Sequence, residues 1–257
     1  MITKAQIKHI TSLHQGKFRD EYHEFIAEGV KVVDELLHSD YVPKTICANS
    51  DWIESNKPLL DTLSAEILEV NASALERISA LSTPNRVLVV FQQKQSRQIP
   101  VITQDELVLV LDELKDPGNL GTIIRIADWF GIDKIICSRE TVDVYNPKTV
   151  QSTMGSLARV DTFYTDLPSF LDSVPEGCTI FATTMEGENI ITAQLPKGGL
   201  ILIGSESHGL SESLMQKATR FVTIPRYLHT ATVTGQAESL NASVATAIMC
   251  SEFRRRL

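Results

Sequence analysis

The 257-residue chain has no CxxC pair, no apolar run near the length of a membrane span, and neither a GxGxxG nor a GxxxxGK[ST] fingerprint. Each absence removes a class of function. Four scattered cysteines (Cys47, Cys137, Cys178 and Cys250), mostly flanked by apolar residues, read as buried free thiols in a reducing cytoplasm, not as a disulfide or zinc framework. Without a long apolar stretch no membrane partner is expected, and MITKAQIKHI lacks the apolar centre of a signal peptide. The missing glycine fingerprints count against a Rossmann-type oxidoreductase and against a P-loop. His208 and His229 are isolated and lack ligand spacing, so no metal is expected. Aromatic residues make up 6% of the chain, and no stacking platform stands out among them.

Positive charge is also scarce. The formal net charge of -8 argues against a protein that coats nucleic acid non-specifically. It leaves room for a local basic patch. The candidates are Lys17 with Arg19, Lys94 with Arg97, and Arg254-Arg255-Arg256.

What is present is an alternation of strands and helices in two parts. In the first, helices are expected at 3–12, 28–39 and 71–79, the last capped by Asn71 or Ser73. Strands are expected at 44–49 and 86–93. These pieces suffice for a small α/β domain over 1–95. Residues 96–106 are polar and without helical period, and read as a linker. From 107 to 257 the alternation is regular. Continuous apolar runs at 107–112, 134–138, 179–184, 200–205 and 221–225 suit a parallel sheet buried on both faces. Helices are expected between them at 119–130, 147–156, 166–173, 209–218 and 238–253, giving a three-layer α/β domain. Its ligand should lie beyond the carboxyl ends of the strands.

The loops at those ends carry the strongest signal. DPGNLGTIIRIADWFG (116–131) follows an apolar strand and opens a helix, a place where anions often bind. The other loops are rich in Gly, Ser, Thr, Asn and Glu but poor in cations, which fits a dinucleotide badly. N-L-G-x-x-x-R-x-A (119–127), G-S-E-x-x-G-L (204–210), and I-P (224–225) followed by E-S-L-N-A-S-V-A-T-A (238–247) stand in this order, each after an expected strand. Together they resemble the three motifs of the SpoU/TrmH branch of the SPOUT RNA methyltransferases. NPKTVQSTMGSL (146–157) is similar to the stretch between the first two motifs, and KFRDEYHEFIAEGVKVVDELL (17–37) to the start of the small N-terminal substrate-binding domain.

The resemblance implies a C-terminal α/β domain tied in a deep trefoil knot, preceded by a ribosomal-protein-like αβ RNA-binding domain. It implies a homodimer that uses S-adenosylmethionine, without a metal, to methylate a ribose 2′-hydroxyl in rRNA or tRNA. The alternative is a SPOUT-fold RNA-binding protein without efficient methyl transfer. Cofactor contacts carry over to Thr183, Thr184, Met185, Gly204, Ser205, Glu206, Ile224 and Leu240. Functional positions carry over to Asn119, Arg125, Glu206, Ser239 and Asn241, with Asn119 able to cap its helix and orient a neighbour. A guanidinium stays protonated in proteins, so Arg125 is read as a phosphate clamp, with proton removal shared by Glu206 or water. Lys17, Arg19 and Glu28 are candidates for RNA contact or for surface and capping roles. Between the Ile-Pro pair and the last motif this chain departs from the family. RYLHTATVTGQA (226–237) is longer, and Arg226 stands where relatives have an apolar residue.

Overall fold

The computed structural model describes residues 2–94, 98–227 and 239–255. Two compact units emerge: Met1–Arg97 with Asp143–Arg159, and Gln98–Val142 with Val160–Leu257. The boundary between them lies between residues 97 and 98. The segment 143–159, expected with the second domain, belongs to the first unit instead.

In the first unit the elements run α1 (Lys4–Ser12), α2 (Gly16–Tyr22), β1 (Glu24–Glu28), α3 (Val30–Leu37), β2 (Pro43–Ala48), α4 (Ser50–Leu60), β3 (Glu66–Glu69), α5 (Ala72–Ile78) and β4 (Val87–Gln92). Among the described residues the sheet order is β1-β4-β2-β3, with β4 antiparallel to both neighbours and β2 parallel to β3. Ile10 and Leu13 at the end of α1 and Leu75 and Ile78 of α5 pack against Ile26, Leu88 and Val90. Asn71 caps α5, accepting from Ala74 N at 2.9 Å. Phe25, Phe91 and Tyr41 receive Tyr145, whose ring centroid lies 4.6 Å from that of Phe25.

The second unit continues with β5 (Leu107–Leu111), α6 (Pro117–Trp129) and β6 (Lys134–Ser138); α7 (Pro147–Ser152) and a 3-10 turn (Ser156–Ala158) lie on the segment that joins the first unit. Then follow β7 (Asp161–Thr165), α8 (Leu167–Asp172), β8 (Ile180–Asn189), β9 (Gly199–Ile203), α9 (Glu212–Met215), β10 (Arg220–Thr223) and α10 (Ala242–Arg254). Among the described residues the sheet order is β10-β8-β9-β5-β6-β7, and every pairing is parallel. The central strands LVLVL and GLILI are buried throughout, as their unbroken apolar runs require. Val108, Val110, Leu200 and Leu202 pack with Phe170 of α8 and Leu214 of α9. On the opposite face α6 and α10 lie together, and Phe253 of α10 meets Phe181 edge-on at 5.0 Å.

Arg19 and Glu28 are buried, which corrects their candidacy as RNA contacts. The Arg19 side chain is 3% exposed. Its guanidinium donates to Leu13 O at 3.0 Å, His14 O at 3.1 Å and Asp143 Oδ2 at 2.8 Å. It thereby satisfies the loose carbonyls after α1 and ties segment 143–159 to the first unit. Glu28 accepts from Ser79 Oγ and from Ala80 N, so its charge fixes the turn after α5. Lys17 alone of the three is exposed. The other basic patches are also engaged: Lys94 pairs with Asp40 at 2.9 Å, Arg254 donates to Phe130 O at 2.8 Å, and Arg255 pairs with Glu252 at 2.6 Å. Arg97 and Arg256 lie outside the described residues. All four cysteines are buried and free. Burial pushes the Cys47 and Cys250 thiols up to about 12, which suppresses the thiolate.

Arg19→Met is expected to lower unfolding free energy in urea by about 2 kcal/mol or more, because two carbonyls and a carboxylate lose their donor. A change within about 0.5 kcal/mol, the range of ordinary surface substitutions, would mean the pair does not hold the segment.

Candidate active site

The site begins with the register of the sheet. Leu111 of β5 stands opposite Ile203 of β9, and Leu202 opposite Ala182 of β8. The loops after β5 and β9, which bear Asn119 and Gly204, therefore leave the sheet at one level. β8 runs on beyond Ala182, and Thr183 opens the irregular stretch between its two paired parts.

The turn into α6 is built by Asp116. Its side chain accepts from Asn119 N at 2.8 Å, and Pro117 takes the first helical position, where its missing N–H is harmless. The helix cap expected at Asn119 thus belongs to Asp116. That frees the Asn119 amide: its Nδ2 donates to Glu206 Oε1, and its Oδ1 accepts from Asn241 Nδ2 at 3.0 Å. Asn241 in turn caps α10, its Oδ1 accepting from Ser243 N at 3.0 Å and Val244 N at 3.3 Å. The polarity of the chain is forced. A carboxylate only accepts, so Asn119 must present its NH₂ to Glu206 and its oxygen to Asn241. One residue from each of the three motifs is joined in this relay.

Gly204 has a different reason to be glycine. A Cβ there would lie 2.2 Å from Gly209 C and 2.4 Å from Leu210 N, both backbone atoms. The loop folds back on itself through Ser205 N to Gly209 O at 3.1 Å and Gly209 N to Ser205 O at 2.9 Å. Gly209 makes the return with a φ of +70°, where glycine is favoured. Ser211 N donates to the buried Asp112 at 2.8 Å, tying the loop to the end of β5.

Beside this loop lies a cavity of about 900 Å³. It is lined by Thr183, Thr184, Met185, Gly204, Ser205, Glu206, Ile224 and Leu240, the eight residues expected to touch a cofactor, and by Ser239. Sequence reasoning missed Met215, Ala245 and Met249, which supply apolar wall from α9 and α10. Their periodicity marks them only as helix-face residues. Tyr227 also lines the cavity, and Arg226 beside it keeps the charge noted as unusual. The rest of that longer loop, 228–238 with His229, lies outside the described residues. Thr183 Oγ1 is spent on Leu202 O at 2.7 Å, so that side chain shapes the loop.

Arg125 is not brought to this group. It is exposed on α6, six residues beyond Asn119 and so on another side of the helix, and makes no hydrogen bond or ion pair with the described residues. It shares its face with Trp129, four residues on, which is 86% exposed. Among the described residues no group of three or more His, Cys, Asp or Glu is placed to hold a metal, and no helix is long and apolar enough to cross a membrane.

The parallel α/β unit thus holds a cavity bounded by the G-S-E and S-L-N loops, with the N-L-G turn joined to both through the relay. Residues 106–251 match the model of the SpoU rRNA Methylase family, and residues 4–89 that of the MRM3-like substrate binding domain. The chain belongs to the SpoU rRNA methylase family. It is 28% identical to the 23S rRNA (guanosine(2553)-2′-O)-methyltransferase RlmP of Bacillus subtilis, covering 97% of this chain and 96% of that one. It superposes on an AdoMet-bound rRNA methyltransferase from Sinorhizobium meliloti with a TM-score of 0.85, at 31% identity over 100% of this chain and 97% of the other. It also superposes on the SpoU methyltransferase AviRb of Streptomyces viridochromogenes, in complex with AdoMet, at a TM-score of 0.84, 25% identity and coverages of 99% and 98%.

Gly204→Ala is expected to destabilise the protein by roughly 2 kcal/mol, since the methyl group meets backbone that cannot step aside. Urea unfolding would measure it, and a variant as stable as the parent would show that the loop opens freely.

Proposed function

We propose that the protein is an S-adenosylmethionine-dependent methyltransferase acting on a ribose 2′-hydroxyl of ribosomal RNA. The observation that carries this is the Asn241–Asn119–Glu206 relay set beside a cavity lined by all eight expected cofactor residues. The cavity suits the cofactor's chemistry. Apolar walls from Met185, Ile224, Leu240 and Met249 match an adenosine ring. The ionisable side chains among its described lining are Glu206, His208, Arg226 and Tyr227, a set that fits a zwitterion with a sulfonium better than a polyphosphate.

S-adenosylmethionine supplies the electrophilic methyl group. The chain's own residues hold and orient the two reactants. Asn119 fixes the Glu206 carboxylate beside the cavity, where it can accept the hydroxyl proton or stabilise the sulfonium charge. Arg125, exposed and always charged, suits an RNA phosphate. It reaches a relay only if a second copy presents it, so the reading includes a homodimer formed across the face that carries Trp129. Exposed Val244 on α10, which packs beside α6, extends that apolar face. The trefoil knot belongs to the same reading, with residues 228–238 outside those described. The first unit serves to choose the RNA. Buried free thiols fit a reducing cytoplasm.

Calorimetric titration of the purified protein should show saturable binding of S-adenosylmethionine and none of NAD. Transfer of labelled methyl to deproteinised ribosomal RNA should follow. Cofactor binding without transfer to any ribosomal RNA would favour an RNA-binding role without efficient catalysis, and no binding of either kind would sink the reading.

Trp129→Glu is expected to reduce the mass seen by light scattering from two chains to one, and to abolish methyl transfer while cofactor still binds. A variant that stays dimeric, or a fully active monomer, would overturn the assignment of this face and of Arg125.

A further inference from the structure

The surface of the first unit holds an aromatic row that the sequence conceals. Phe18 and Tyr22, one turn apart on α2, lie with ring planes 13° apart and centroids 6.1 Å apart. His9, from α1, meets Tyr22 at 4.8 Å with its plane tilted 56°. These rings are not sealed in the core: Tyr22 is 42% exposed, and the His9 side chain 40%. Glu24 holds His9 in place through Nε2 at 2.7 Å. The Lys17 ammonium stands 5.7 Å from the centre of the Phe18 ring.

Lysines and carboxylates both lie around these rings. Residues 1–19 contain Lys4, Lys8, Lys17 and Arg19 and no Asp or Glu, in a chain whose net charge is -8. Arg19 is buried, whereas Lys4, Lys8 and Lys17 are exposed. The acidic residues here are Asp20 and Glu21 at the end of α2, Glu24, which is engaged with His9, and Glu66, which accepts from Gln6 of α1 at 2.8 Å. Partly exposed aromatic rings with a lysine beside them suit unpaired bases and their phosphates, since every base has a π-face and each phosphate a negative charge. An RNA duplex keeps its bases stacked inside and offers these rings nothing.

We propose that Phe18, Tyr22 and His9 form a stacking platform for unpaired bases of the RNA substrate, with Lys17 taking an adjacent phosphate. This rests on the reading that the protein acts on RNA, and names the kind of RNA segment the first unit receives: a loop or single strand.

Binding is to be measured with the full chain by fluorescence anisotropy, using labelled oligoadenylate and a labelled RNA duplex of the same length, and by filter binding of deproteinised ribosomal RNA. Oligoadenylate should bind more tightly than the duplex. Tyr22→Ala should weaken oligoadenylate binding by about tenfold. Tyr22→Phe, which keeps the ring, should restore it. Tyr22→Leu keeps the apolar packing without the π-face and should bind as poorly as Tyr22→Ala, which separates stacking from mere support of the helix. The S-adenosylmethionine titration should be the same in all four proteins. If the parent binds ribosomal RNA but Tyr22→Leu binds both probes as tightly as the parent, or if the duplex is preferred, the platform is overturned and the RNA reading stands. If the parent binds no RNA at all, both fall.

Discussion

Parallel pairing of β9 with β5 brings the carboxyl ends of these two strands level, so the loops that carry Asn119 and Gly204 leave side by side, next to Thr183 of the longer β8. Antiparallel pairing would have sent alternate loops to opposite ends of the sheet. The central strands LVLVL and GLILI are buried throughout, and that burial stabilises the sheet from which the loops project. Asp112 reinforces it by binding Ser211 N across from β5 to the loop after β9.

On that frame, the site is made more by backbone approach than by charge. Gly204 is glycine because backbone lies where its side chain would be, and Thr183 spends its hydroxyl on a carbonyl of the neighbouring strand. The polar side chains that remain are organised in one direction, from Asn241 through Asn119 to Glu206. The two amides fix a carboxylate that would otherwise move freely on an exposed loop. Arg125 stands apart from it, on the exposed side of α6.

The first unit obeys a different economy. Its buried charges, Arg19 and Glu28, close turns and hold the segment 143–159. Its exposed residues on α1 and α2 combine cations with aromatic rings. The motif-like stretch beginning at Lys17 thus divides residue by residue: Lys17 and Phe18 on the surface side, Arg19 inside.

Much of this was legible in the chain. Continuous apolar runs marked β5, β6, β9 and the first part of β8, because strands buried on both faces need no alternation. The motifs and the resemblance they carry pointed to eight residues that line the cavity, whereas nothing marked Met215, Ala245 and Met249 as its wall. The strand β7, DTFYT, went unread because an edge strand is only half-buried and its polar residues resemble a loop. α4 went unread because Pro58 within it and its polar faces mask the period. The sequence by itself determined the alternation of elements, the motif-bearing loops and the family they resemble, all of which depend on local pattern. Tertiary structure alone decided that Asp116, not Asn119, caps α6, that Arg19 is buried while Lys17 is not, that 143–159 packs with the first unit, and that His9 meets Tyr22. Each of these depends on partners distant in the chain or on which face of a helix is covered, and no local pattern records that.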